Sequence, residues 1–122
     1  MVLGDEVKNC ERIRERFLKD ALPERVVNLA ADLSRVASSA RRPTGGAATA
    51  LMLEESQHLI EWTAAEAPPE LAEEMVNVQV LLALWRRAWP EAQQGTLQRS
   101  LLAVQAKQWA DHVLRHAAED LR

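Results

Sequence analysis

Seven glutamates, Glu54, Glu55, Glu61, Glu66, Glu70, Glu73 and Glu74, lie between Arg42 and Arg86 with no lysine or arginine among them. Carboxylates at this density suit two kinds of chemistry. Gathered at one point, their oxygens hold a hard divalent cation such as magnesium. Spread over a surface, they attract a basic partner. A run of glutamates also arises without any function, because Glu favours exposed helix faces and the positive N-terminal ends of helices. Every basic residue falls in the outer parts of the chain, so the net charge of -3 conceals an uneven distribution.

The histidines test the metal reading. Glu55-Ser56-Gln57-His58 is a Glu-x-x-His pair, the unit that di-metal helical bundles carry on two of their four helices. It occurs once. His112 and His116 are one helical turn apart, but Trp109 and Val113 stand three residues before them where glutamates would be needed. A looser likeness is to the all-helical nucleotide pyrophosphohydrolases, which hold magnesium with clustered acids on adjacent helices. Glu54 and Glu55 resemble that family's first acidic motif, and Glu70, Glu73 and Glu74 part of its second. Asn77 sits where a further carboxylate is wanted. That resemblance implies a metal-dependent nucleotide hydrolase as the alternative function.

The main reading is a protein that acts through protein-protein contacts and is not an enzyme, with no catalytic residue, metal or cofactor expected. Cys10 lies on an apolar stripe and reads as a structural thiol. Two arginines beside the glycines of Arg41-Arg42-Pro43-Thr44-Gly45-Gly46 match neither phosphate-loop spacing. Four tryptophans accompany one phenylalanine and no tyrosine. Trp85 and Trp109 fall on apolar seams. Trp62 and Trp89 fall near helix ends, where an exposed ring marks an interface. The partner-binding candidates are therefore Glu54, Glu55, Glu61, Trp62 and Trp89, facing a protein partner or a second copy of the chain.

The elements that position these residues follow from periodicity. Leu71, Met75, Val78, Leu82, Trp85 and Trp89 recur at steps of four and three, which is helical spacing. A strand reading of Val76 to Val80 fails where Leu81 to Leu84 break the alternation. With Val76, Val80, Leu81 and Leu84 added, this helix is apolar over most of its circumference, which predicts a place in the middle of a bundle. Further helices are expected from about Asp5, with Asp5 as cap; from Pro23 to about Ser39; from Ala47 to Glu66; and from Leu97 to Leu121, after a stop at Trp89-Pro90. Asp111 with Arg115 is an expected surface pair on the last of these. The segment from Arg41 to Gly46 reads as a flexible connection.

Together these predict an all-α fold, an antiparallel bundle of about five helices in a single domain over residues 1–122. Residue composition is that of an ordinary globular protein, with 48% hydrophobic and 27% charged residues. The acidic balance argues against nucleic acid and anionic lipid. No apolar run approaches the ~20 residues needed to span a bilayer. A lone cysteine and the absence of a leader-like start point to the cytoplasm. Finally, Leu53-Glu54-Glu55-Ser56, Ile60-Glu61-Trp62-Thr63-Ala64, Leu82-Ala83-Leu84-Trp85 and Gln105-Ala106-Lys107-Gln108-Trp109-Ala110-Asp111 resemble segments of a small all-helical family of photosynthetic bacteria, over about positions 10 to 115. That family has no assigned activity, so the resemblance implies a soluble helical fold and nothing of mechanism.

Overall fold

A computed structural model describes residues 2–121, with side chains described for residues 9–119 and Leu121. The described residues form five α-helices, α1 (Val2–Leu18), α2 (Leu22–Arg41), α3 (Gly46–Glu61), α4 (Pro69–Ala92) and α5 (Thr96–Asp120), with a short 3-10 turn at Ala64–Glu66 between α3 and α4. The all-α bundle expected from the sequence is the fold observed. Short connections make successive helices antiparallel. Helices α2 to α5 form a ring in which each packs on the next and α5 closes back onto α2, so α2 and α4 stand at opposite corners. The α2 and α5 contact is the most extensive. Ala30, Ala37 and Ala40 of α2 and Ala103, Ala106 and Ala110 of α5 are all buried, and such small side chains let helix axes approach closely.

Helix α4 is not the centre of this bundle. Leu71, Met75, Val78, Leu82 and Trp89 are buried, as the four-three seam predicts, but Val76, Val80 and Leu84 are 49%, 56% and 59% exposed. The more deeply buried helix is α2, which buries ten of its 20 residues. Apolar content misled here because burial depends on how many elements surround a helix.

Two helix ends also differ from expectation. Helix α3 stops at Glu61, where the chain tightens into the 3-10 turn before Ala67-Pro68-Pro69. Proline disfavours helical geometry in the residue before it, which accounts for the extended backbone of Ala67 after that turn. Helix α4 instead runs through Pro90 to Ala92. Less than one turn follows the proline, so little of the helical ladder is lost. The expected cap at Asp5 lies outside the described side chains, although the backbone is already helical from Val2.

The segment at Arg41 to Gly46 is a tightly fastened turn. Thr49 Oγ1 donates to the Gly45 carbonyl at 2.8 Å and shares a 2.7 Å hydrogen bond with Ser39 Oγ. The Trp89 indole N–H donates to the Gly46 carbonyl at 2.9 Å, tying the end of α4 to the start of α3. A Cβ on Gly45 would lie 2.0 Å from the Ser39 carbonyl oxygen, so only glycine fits there.

Candidate functional site

The acidic hairpin of α3 and α4 distributes its carboxylates in separate directions. On α3, Glu54 and Glu61 lie one turn either side of His58, with Glu54 Oε1 3.9 Å from Nε2 and Glu61 Oε2 3.6 Å from Nδ1. The His58 ring stacks on Trp62 at a centroid distance of 5.4 Å. Arg86 reaches back from α4, donating to Gln57 Oε1 at 2.6 Å and lying 3.9 Å from Glu54 Oε2. The basic end of the hairpin thus answers part of the acidity of its own first arm.

Glu66 faces elsewhere. It receives two hydrogen bonds from Arg25 of α2, at 2.7 and 3.1 Å, and these, with the charge of Arg25, hold its carboxyl below the usual range. The Arg25 guanidinium lies 6.0 Å from the centre of the Phe17 ring, which in turn lies 6.1 Å from Trp62. Through these contacts the C-terminal end of α1 is fastened where α2 and α3 meet. Glu74 turns to α5, 3.5 Å from His112 Nδ1 and 4.0 Å from His116 Nε2. Glu70 and Glu73 are exposed on the first turns of α4. Among the described residues no three histidine, cysteine, aspartate or glutamate side chains come together as a metal site. The glutamates required by the hydrolase alternative, Glu54, Glu55, Glu70, Glu73 and Glu74, are therefore spread over the hairpin.

Of the partner-binding candidates, Glu54, Glu61 and Trp62 are brought together around His58. Glu55 lines a cleft of about 460 Å³ together with Glu54, His58 and Trp62, and also a second cleft of about 300 Å³ beside Asp32 and Arg35. Trp89 must be corrected. It is 2% exposed and its indole is spent on the Gly46 carbonyl, so its ring presents no surface to a partner. Cys10 is half-buried at the edge of the larger cleft. Asp111 pairs at 3.3 Å with Lys107, one turn before it, in place of the expected Arg115, one turn after it.

Sequence reasoning missed two features. Asp32 is 3% exposed; Arg35 donates to its Oδ1, while Oδ2 has no hydrogen-bond partner. Burial first, and the nearby Glu55 charge second, push its carboxyl up to about 6 against the opposing pull of Arg35. A signal existed, since Arg25, Leu29, Asp32 and Val36 follow steps of four, three and four, placing two charges on a core-facing stripe. The second feature is the outer face of α4. Val76, Val80 and Leu84 follow one another at steps of four, bounded by the exposed Glu73 and Arg87. No described helix is long and apolar enough to cross a membrane, so these residues have no such account.

No protein-family model, curated protein or solved structure matches the chain. The resemblance to the helical family of photosynthetic bacteria rests on its four short segments alone.

Proposed function

We propose that this protein works by protein-protein contact, and that the contact surface is the outer face of α4 on the acidic α3 and α4 hairpin. One observation carries the reading: Val76, Val80 and Leu84 present an uncovered apolar row, 49% to 59% exposed, on a helix whose other side is buried in the bundle. Apolar patches rimmed by charge are characteristic of interaction sites. Glu73 and Arg87 supply that rim, and Glu54, Glu61 and the half-buried Trp62 lie on the neighbouring arm of the hairpin. The glutamates supply charge around this surface rather than a shared cation site. The cytoplasm is the proposed setting, in keeping with a single cysteine and an acidic balance.

The test compares wild-type protein with Val80→Asp as baits, each first shown to be folded by its helical circular dichroism. Recovered proteins, including a differently tagged copy of the chain, are quantified against both. The reading expects at least one protein held by wild type and lost with Val80→Asp. Equal recovery by both baits, or no protein held by wild type, overturns it.

A further inference from the structure

Resting on that reading, we propose that the partner is a second copy of the same chain, paired through α4 in antiparallel register about a twofold axis beside Val80. The order of residues on the outer face is the first ground. Glu73, Val76, Val80, Leu84 and Arg87 are spaced by three, four, four and three, a series that is the same read in either direction. All five are exposed. Steps of three and four keep residues on one helical face, so the row is continuous and centred on Val80.

A twofold axis requires that a surface be complementary to itself. With the axis beside Val80, residues equally far from it in opposite directions meet across the contact. Val80 packs on the partner's Val80, and Val76 on the partner's Leu84. Glu73 then faces the partner's Arg87, and each of these unlike contacts occurs twice. Among the described residues neither Glu73 nor Arg87 has an ion pair within its own chain. Asn77 falls opposite the partner's Ala83, where a small side chain leaves room for the amide. The parallel arrangement is disfavoured, because it would set Glu73 against the partner's Glu73 and Arg87 against the partner's Arg87.

The neighbouring helix widens the surface. Trp85 donates to Gln105 of α5 at 2.8 Å, which sets α5 alongside the C-terminal half of α4, and Leu101 and Val104 of α5 are 48% and 46% exposed. A stable interface covers roughly 800 Å² per partner. A row of three apolar side chains with this flank falls near the lower end of what holds two proteins together, so the dimer is expected to dissociate on dilution.

Sedimentation velocity from about 1 to 500 µM tests this, because a dimer held by so small an interface changes its population across that range. The apparent mass should rise from 13.7 kDa toward twice that value. Glu73→Arg and Arg87→Glu should each weaken self-association by about tenfold or more, since each turns two attractions into repulsions. Mixed together, the two single variants should recover a heterodimer, because each then supplies the charge that the other lacks. A folding defect could not be repaired by mixing. The inference is overturned if wild type stays at 13.7 kDa throughout, if either variant associates as wild type does, or if the mixture stays monomeric. Should wild type prove monomeric while a different protein is lost from the Val80→Asp bait, the contact reading stands and the self-pairing alone fails.

Discussion

Helices α2 and α4 stand at opposite corners of one ring, yet α2 buries ten of its 20 residues and α4 only five of its 24. The more apolar helix is the less buried one. Its composition does not explain this; its neighbours do. Helix α2 is enclosed by α3 and α5 and approached by the end of α1, whereas α4 meets α3, α5 and the 3-10 turn on one side only. A helix that is apolar all round signals burial, but the burying partner need not belong to the same chain. In the proposed reading, the buried apolar residues of α2 serve folding and the outer ones of α4 serve association.

The largest expected effect tests that division directly. Leu33→Ala on α2 removes a fully buried side chain and should destabilise the fold by about 2–5 kcal/mol. Val80→Ala on the outer face of α4 should change it by no more than about 0.5 kcal/mol when unfolding is measured at a concentration where the chain is monomeric. Urea titrations of both variants check the pair. Similar losses would mean that α4 is enclosed in solution within a single chain, and the contrast would fail.

A smaller effect separates the two turns that lead out of these helices. At the end of α2, an alanine Cβ at position 45 would collide with the Ser39 backbone carbonyl; at the end of α4, one at position 95 would meet only the flexible Gln98 amide. Gly45→Ala is expected to cost about 1–3 kcal/mol and Gly95→Ala a few tenths to about 1 kcal/mol, by the same urea measurement. Equal costs would show that the Ser39, Gly45 and Thr49 turn is not the rigid fastening described above.

How much of this was legible in the sequence depends on the kind of physics involved. Helix positions followed from apolar spacing, and the seam of Leu71, Met75, Val78, Leu82 and Trp89 faces inward as its period requires. The outer face of α4 was not legible, because the period that turns Val78 inward does not say whether another element covers the equally apolar Val80. The fate of Trp89 turned on a hydrogen bond to Gly46, 43 residues away in the chain. The glutamate run was visible, but the turning of Glu66 to Arg25 and of Glu74 to the α5 histidines depends on neighbours from two other helices. Asp32 was readable in principle, as a charge on an apolar stripe, and only its surroundings show how strongly burial acts on it.

That aspartate sharpens the comparison further, since α2 is buried deeply enough to enclose a carboxyl while the charges of the α4 outer face stay in water. Folding raises the Asp32 carboxyl to about 6, above the ordinary range near 4 that it has in the unfolded chain. The folded state therefore binds the proton more tightly than the unfolded state between those values. The sign follows: stability from this group is greatest below about pH 4 and declines as pH rises through about 6, where the buried carboxyl must ionise. The penalty at neutral pH is at most about 3 kcal/mol, and smaller to the extent that water from the adjoining cleft screens the charge. The Glu66 pair with Arg25 acts in the opposite sense, losing stability as acid protonates its depressed carboxyl, so whole-protein melting alone would mix the two. Asp32→Asn isolates the effect. Relative to wild type, this variant should gain stability between pH 5 and pH 7, because it has no proton to lose, and the difference should level off above pH 7. A difference that is flat across this range would mean that Asp32 is solvated, and that α2 is less completely enclosed than the contrast with α4 requires.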